Sequence, residues 1–210
     1  LELVSRGVLS HDVAAGVTVS SASRYDAPVD IPTEQEIQKL LAAADKLANS
    51  RNILVQKTWE KYRPILYLAV DSGMRPQEYL VLAKSAIKET GVEVGRALEG
   101  GGTEITVTKT KAGRRFIDLS SHTLDMLRHY QEHYAVENDY DLLFPSRNGR
   151  WLNVKNWRRR GFNRACEEAG LMVGGNPKYK PYDLRHFYAS MLIDQRVNLK
   201  RIQTLMGHRN

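Results

Sequence analysis

A short block of strand-forming sequence between long helical stretches limits the folds open to this chain. The block lies between Ala86 and Leu119, and three β-type runs occur in it: Gly91–Val94, Glu104–Lys109 and Arg115–Leu119. The last two runs flank Lys111–Gly113 as the strands of a hairpin would, and Gly95–Gly102 predicts a flexible loop. Because the remaining patterned sequence is helical, we predict a mainly α (α+β) fold with a small three-stranded antiparallel sheet.

Helical periodicity begins at a capping box formed by Thr33 and Glu36. Apolar residues then fall on one helix face: Ile37, Leu40, Leu41, Ala44 and Leu47. Further helices are predicted at Trp59–Val70, from Pro76, at Leu124–Tyr134, Val154–Ala169, Pro181–Ile193 and Leu199–Met206. The preceding stretch from Val17 to Asp30 has no apolar period and has the composition of a linker. We therefore divide the chain into residues 1–30 and a main domain of residues 31–210.

Charge favours a polyanionic partner, although an ordinary basic protein is the alternative. Lysine and arginine total 31 against 24 acidic residues, which gives a formal charge of +7. A single cysteine, Cys166, can form no internal disulfide and indicates a reducing compartment, and we expect it to be a buried apolar residue. No apolar run approaches the roughly 18 residues of a membrane span, and the first residues do not resemble a signal peptide.

The stretch Pro181–Ser190 carries the strongest chemical signal. An apolar stripe at helical spacing predicts its buried face: Leu184, Phe187, Tyr188, Met191 and Leu192. Tyr182 and Arg185 share a different face in the first turn. Free N–H groups at a helix start, together with a guanidinium, predict a phosphate site. A surface salt bridge is the alternative for Arg185.

Arg75 repeats this arrangement at a second helix start. It follows a Ser-Gly break and immediately precedes the helix that begins at Pro76. Two such arginines could clamp one phosphate from both sides, and a planar, permanently charged guanidinium suits the charge of phosphoryl transfer. Glu78 is predicted to cap this helix, and it could also orient Arg75.

Lys109 and His208 are candidates on weaker signals. Lys109 ends a strand on the same face as two apolar residues, where its amine could protonate a leaving alkoxide. The alternative is a solvated hairpin lysine, because adjacent cations are predicted to be solvated or to face phosphate: Lys111, Arg114 and Arg115. His208 follows Gly207, which predicts a left-handed helix cap, and a histidine there is usually at the surface.

Four motifs, taken in chain order, resemble the signature of the tyrosine recombinase family, which includes the phage integrases. They are Gly73–Glu78, Thr108–Arg115, Tyr182–His186 and Leu205–His208. The resemblance is specific because four independent pieces occur in the right order on the right kinds of element. It covers roughly Pro32 to Asn210, and Arg6–Val17 is similar to the end of the core-binding domain that precedes the catalytic domain in phage integrases.

The resemblance implies roles for the candidate residues. Arg75 and Arg185 would bind the scissile phosphate, His208 would hydrogen-bond it, and Lys109 would be the general acid for the 5′-hydroxyl, with Lys111 as second choice. The family usually has histidine where Tyr182 stands; a phenol with a pKa of about 10 is a poor base, so we expect it to position or donate. Other DNA contacts are expected from Lys111, Arg114, Arg115, Arg158, Arg159 and Lys180, with a solvated helix face as the alternative for the arginine run at 158–160.

The resemblance also implies a tyrosine nucleophile shortly after the Gly-His element, whereas the given sequence stops two residues past His208. We therefore expect a chain truncated before its nucleophile, which binds DNA but is inactive alone. The intact protein would recombine double-stranded attachment sites through a 3′-phosphotyrosyl link as a homo-tetramer. A prophage origin, a cytoplasmic, nucleoid-associated location and no metal or other cofactor are expected. A type IB topoisomerase and a non-catalytic DNA-binding module remain alternatives.

Overall fold

The computed structural model describes residues 30–99, 101–107 and 114–207. The helices are α1 (Glu34–Ala48), α2 (Ile53–Ser72), α3 (Pro76–Tyr79), a 3₁₀ turn (Lys84–Ala86), α4 (Ser121–His133), α5 (Val154–Trp157), α6 (Asn163–Glu168), α7 (Asp183–Asp194) and α8 (Leu199–Met206). The strands are β1 (Gly91–Val94), β2 (Arg96–Glu99), β3 (Glu104–Val107), β4 (Arg115–Asp118), β5 (Met172–Val173) and β6 (Asn176–Pro177). Of the predicted first segment, residues 1–30, all but Asp30 lie outside the described residues.

Local sequence signals fix the ends of several helices. The capping box at the start of α1 is present, with Glu36 N donating to Thr33 Oγ1 at 3.3 Å and Thr33 N donating to Glu36 Oε2 at 2.9 Å. Of the apolar face predicted for α1, Ile37, Leu40, Ala44 and Leu47 are buried, and Leu41 is partly buried. Helix α8 has the predicted bounds and ends at Gly207, whose φ of 62° is left-handed.

The mainly α prediction with short antiparallel strands is confirmed, but the described strands form two-stranded pairs instead of one three-stranded sheet, and they pair differently from the predicted hairpin. Strand β1 pairs with β4, while β3 pairs with β2. The second pair exists because Arg96–Glu99 forms a strand, where the sequence had predicted a loop over Gly95–Gly102. Among the described residues, β3 and β4 therefore belong to two different two-stranded pairs, rather than to one hairpin.

The predicted helix over Val154–Ala169 contains a π-helical turn at Arg158–Phe162 between α5 and α6. Asn163 N donates to the carbonyl of Arg158, the i to i+5 pattern of such a turn. Gly161 lies directly on Trp157, since a Cβ there would come within 2.2 Å of the indole ring. Trp157 in turn donates from Nε1 to the hydroxyl of Tyr79 at 3.0 Å, which ties this helix to α3.

One buried core joins helices α1 to α7 to the strand pair β1–β4, and a smaller cluster fills the space between α7 and α8. The smaller cluster consists of Tyr188, Leu192, Ile202 and Met206. Cys166 is buried in the main core, and burial raises the pKa of its thiol to about 12. No helix in the described ranges is both long and apolar enough to cross a membrane.

Gly73 ends α2 and cannot carry a side chain without strain. Its φ is 58°, and a Cβ would lie 2.3 Å from Cδ1 of Tyr188. We expect Gly73→Ala to lower the free energy of unfolding by about 2–4 kcal/mol, from left-handed strain and overpacking together. Urea unfolding measures it. Gly95→Ala is the matched control, because a Cβ at Gly95 meets nothing within 4 Å; equal losses in both variants would contradict this account.

Candidate active site

Arg75 stands at the start of α3, as predicted. It is the N-cap residue, and Pro76 occupies the first helical position behind it. Gly73, two residues earlier, ends α2 in a left-handed conformation. One third of the Arg75 side chain, 33%, remains exposed. The guanidinium is thus anchored at one side and accessible at the other.

Arg185 lies in the first turn of α7 and is buried, with only 2% exposure. Its Nη1 donates to the carbonyl of Gly73 at 2.7 Å, and its Nη2 donates to the carbonyl of Met206. The alternative of a solvated surface salt bridge is therefore wrong. Burial and, after it, the positive charge of Arg75 lower the pKa of Arg185 to about 10. The side chain remains charged at neutral pH, in a region that already holds another cation.

Glu78 is the carboxylate that joins these elements, and it is 4% exposed. Its Oε2 accepts from the backbone N of Arg75 at 2.7 Å, and its Oε1 accepts from Arg75 Nη1 at 3.1 Å. Both predicted roles, capping and orienting, are thus present. Burial opposes its ionisation, but hydrogen bonds and charge from Arg115, followed by Arg75, outweigh burial and lower the pKa of Glu78. Glu78 is held as an anion between two arginines.

Arg115 corrects the expectation of a solvated cation. It is 5% exposed, and its Nη1 and Nη2 donate to the two carboxylate oxygens of Glu78 at 3.0 and 2.8 Å. The physical reason is strand alternation, because β4 buries Arg115 and Ile117 and exposes Phe116 and Asp118. That alternation was present in the sequence, but the partner that neutralises the charge lies 37 residues away.

The other predicted site residues fall into two groups. Tyr182 is 41% exposed, immediately before α7, and its ring packs edge-on against His186 at 5.5 Å between centroids. Four of the predicted DNA contacts are also exposed: Arg114, Arg158, Arg159 and Lys180. Three predicted residues lie outside the described residues: Lys109, Lys111 and His208. The structure therefore brings Arg75 and Arg185 together and leaves Tyr182 accessible beside them.

A basic groove was missed by sequence reasoning. It has a volume of about 740 Å³ and lies between the start of α2, the segment Ser146–Asn153 and the helix that begins at Val154. Four cations line it, with no carboxylate among the lining residues: Lys57, Lys61, Arg147 and Arg160. Burial lowers the pKa of Lys61, and the charge of Arg147 lowers it further. Such a groove suits an anionic chain.

No set of three or more histidine, cysteine or carboxylate side chains is placed to hold a metal ion in the parts of the chain that the structure describes. The two candidate phosphate-binding groups are arginines, of which Arg75 is partly exposed and Arg185 is buried. Planar guanidinium groups give fixed, multiple donors toward oxyanions, so the described site is suited to bind phosphate through protein cations.

Solved structures with the same arrangement of elements define the class of fold. The Tn1549 transposon integrase in complex with circular intermediate DNA matches with a TM-score of 0.74 and 19% identity, covering 100% of this chain and 69% of that chain. A lambda integrase dimer bound to a COC′ core site matches with a TM-score of 0.63 and 20% identity, covering 100% and 67%. The fold is that of a tyrosine recombinase catalytic domain.

The particular family follows from the sequence comparison. The model of the phage integrase family matches residues 32–210, and the chain belongs to that family. Similar curated proteins include tyrosine recombinase XerC of Salmonella typhi, 26% identical over 211 residues and 99% of this chain. Tyrosine recombinase XerA of Thermococcus kodakarensis is 28% identical over 182 residues, 85% of this chain. The matched parts span 61% and 54% of those two relatives' lengths.

Proposed function

We propose that residues 31–210 are the catalytic domain of a site-specific recombinase that breaks and rejoins duplex DNA, and that residues 1–30 are the end of a core-binding domain with its linker. The observation that carries this proposal is the convergence of Arg75 and Arg185 from two helix starts at Gly73. Family membership supports it. The partner would be double-stranded DNA at attachment sites, since the similar integrases were solved in complex with DNA.

In the proposed reaction, Arg75 and Arg185 bind the scissile phosphate and stabilise the charge that develops on its oxygens. The hydroxyl oxygen of a tyrosine of the intact protein loses its proton to solvent and attacks phosphorus, forming a 3′-phosphotyrosyl link as the bond from phosphorus to the 5′-oxygen breaks. Lys109, with Lys111 as second choice, donates the proton that the 5′-oxygen takes up. His208 donates a hydrogen bond to the phosphate, and Tyr182 positions the phosphate. Attack by a partner strand's 5′-hydroxyl reverses these steps and rejoins DNA.

Residues 1–210 alone are proposed to bind DNA without linking to it covalently. Two tyrosines beside the site suit other tasks: Tyr188 is 5% exposed and packs on Gly73, and Tyr182 takes the position of the family's histidine. We further propose a homo-tetramer on DNA for the intact protein, a prophage origin, and a cytoplasmic location associated with the nucleoid.

The test is covalent trapping of the full-length protein on a nicked suicide substrate that carries its attachment site. We expect a protein–DNA adduct with a free 5′-hydroxyl, followed by recombinant product when a partner strand is supplied. Relaxation of supercoiled plasmid without recombinant product would favour a type IB topoisomerase. Sequence-specific DNA binding without any adduct would favour a non-catalytic DNA-binding module.

The basic groove is proposed as a contact for the DNA backbone. Lys57 and Arg147 are exposed cations of its lining, and each would release counterions on binding a phosphate. We expect Lys57→Ala combined with Arg147→Ala to reduce the slope of log affinity against log salt by about 2, near 0.9 for each contact. Fluorescence anisotropy across a salt series measures the slope.

The matched control for the groove is Lys39→Ala, which removes an exposed lysine of α1 that is not in the lining. It should leave the salt slope nearly unchanged. Lys61 is kept in every variant because its Nζ donates to the carbonyl of Pro145 and supports the groove wall. If the double variant kept the wild-type slope, the groove would not lie on the DNA path.

A further inference from the structure

Arg115 connects two segments that are far apart in the sequence. From β4, its Nη1 and Nη2 donate to Glu78 at the start of α3, and its Nε donates to the carbonyl of Leu205 at 2.7 Å. Its side chain is 2% exposed and that of Glu78 is 5% exposed, so water screens this contact little. All three nitrogens of one guanidinium therefore hold the protein's own groups.

The end of α8 rests directly on this guanidinium. Gly207 has φ 62°, and a Cβ there would lie 2.9 Å from Arg115 Nη1. The carbonyl of Met206, which follows that of Leu205 in the chain, accepts from Nη2 of Arg185. Two buried arginines thus fasten the successive carbonyls of Leu205 and Met206, which lie at a helix C-terminus where cations are favoured. His208 is the next residue after Gly207 in the sequence.

We propose that Arg115 is a positioning residue that fixes the end of α8 relative to the phosphate-binding arginines. The inference rests on the proposed function. The two Nη groups of its guanidinium orient Glu78, which in turn orients Arg75. Its Nε holds the carbonyl of Leu205, just before the turn that leads into His208. Lysine cannot reproduce this, because a single ammonium cannot bridge both carboxylate oxygens and a carbonyl on opposite sides in a fixed plane.

Arg115→Lys in the full-length protein tests the proposal. We expect DNA affinity close to that of the wild type but covalent attachment slowed by about 100-fold, because small misplacements of charge-stabilising groups have large effects on rate. Arg128→Lys is the matched control: this exposed α4 arginine also donates to backbone carbonyls, those of Lys88 and Glu89. It should attach at the wild-type rate.

A substrate with a neutral methylphosphonate at the scissile position separates positioning from a general loss of structure. Such a centre needs less charge stabilisation, so the deficit of Arg115→Lys relative to the wild type should shrink to a few-fold. Equal deficits on both substrates would overturn the proposal. Should Arg115→Lys fail to fold, Glu78→Gln with Arg115→Gln replaces the ion pair by neutral amides. Covalent attachment at the wild-type rate by that double variant would also overturn the proposal.

Hydrogen exchange provides a readout that does not depend on recombination. In Arg115→Lys, the amides of Leu205, Met206 and Gly207 should exchange faster, while those of α1 remain protected. Unchanged exchange at these three amides would overturn the tie between Arg115 and α8. Absence of any adduct with the wild-type protein would instead refute the proposed function, so the two failures are distinguishable.

Discussion

Arg185→Lys in the full-length protein is expected to lower the rate of covalent attachment to a nicked DNA substrate by about 10²–10³-fold. The guanidinium of Arg185 spans the carbonyls of Gly73 and Met206, and a lysine keeps one charge but loses that fork. Because Arg185 remains charged at neutral pH, the substitution changes geometry rather than net charge. Arg185→Ala should abolish attachment altogether.

Single-turnover trapping at saturating protein measures this rate apart from DNA affinity. The matched control is Arg63→Lys, since Arg63 is a half-buried arginine of α2 that pairs with Asp45 at 2.6 Å, outside the proposed site. It should leave the rate within a few-fold of the wild type. A wild-type rate in Arg185→Lys would mean that Arg185 is a structural arginine and not a phosphate ligand.

The features that the sequence predicted well depend on residues that are close together in the chain. The capping box of α1, the break at Gly73 and the start of α3 depend on neighbours in the chain, so pattern and turn chemistry were sufficient. The position of Arg185 in the first turn of α7 followed in the same way. These local signals placed the two candidate phosphate ligands at helix starts.

What the sequence did not predict depends on contacts between distant segments. Strand pairing was missed because Arg96–Glu99 gains its partner only when β3 folds back on it. The burial of Arg115 depends on Glu78, and the basic groove is assembled from two stretches of chain that are far apart in the sequence. From the sequence alone, a charged residue beside other cations is predicted to be solvated. Only the fold brings in the carboxylate that permits its burial.

Glu78→Gln is expected to lower the free energy of unfolding by about 3–5 kcal/mol near neutral pH, because it leaves the buried guanidinium of Arg115 without its anion. The carboxylate accepts from Arg115 at two oxygens and also from the backbone N of Arg75. The glutamine amide has one acceptor oxygen and no charge, so it can accept only some of these hydrogen bonds. Chemical unfolding of the chain, with Glu132→Gln as the exposed control on α4, measures the loss.

The pH dependence of that loss identifies its electrostatic origin. Arg115 and Arg75 hold the pKa of Glu78 below its ordinary value despite burial, so the folded state binds this proton less readily than the unfolded chain does. The carboxylate's stabilisation is therefore fully present above the ordinary pKa of glutamate, about 4.3, and is lost as pH falls through the lower folded value. The wild type and Glu78→Gln should accordingly converge in acid, whereas a pH-independent difference would assign the loss to packing alone.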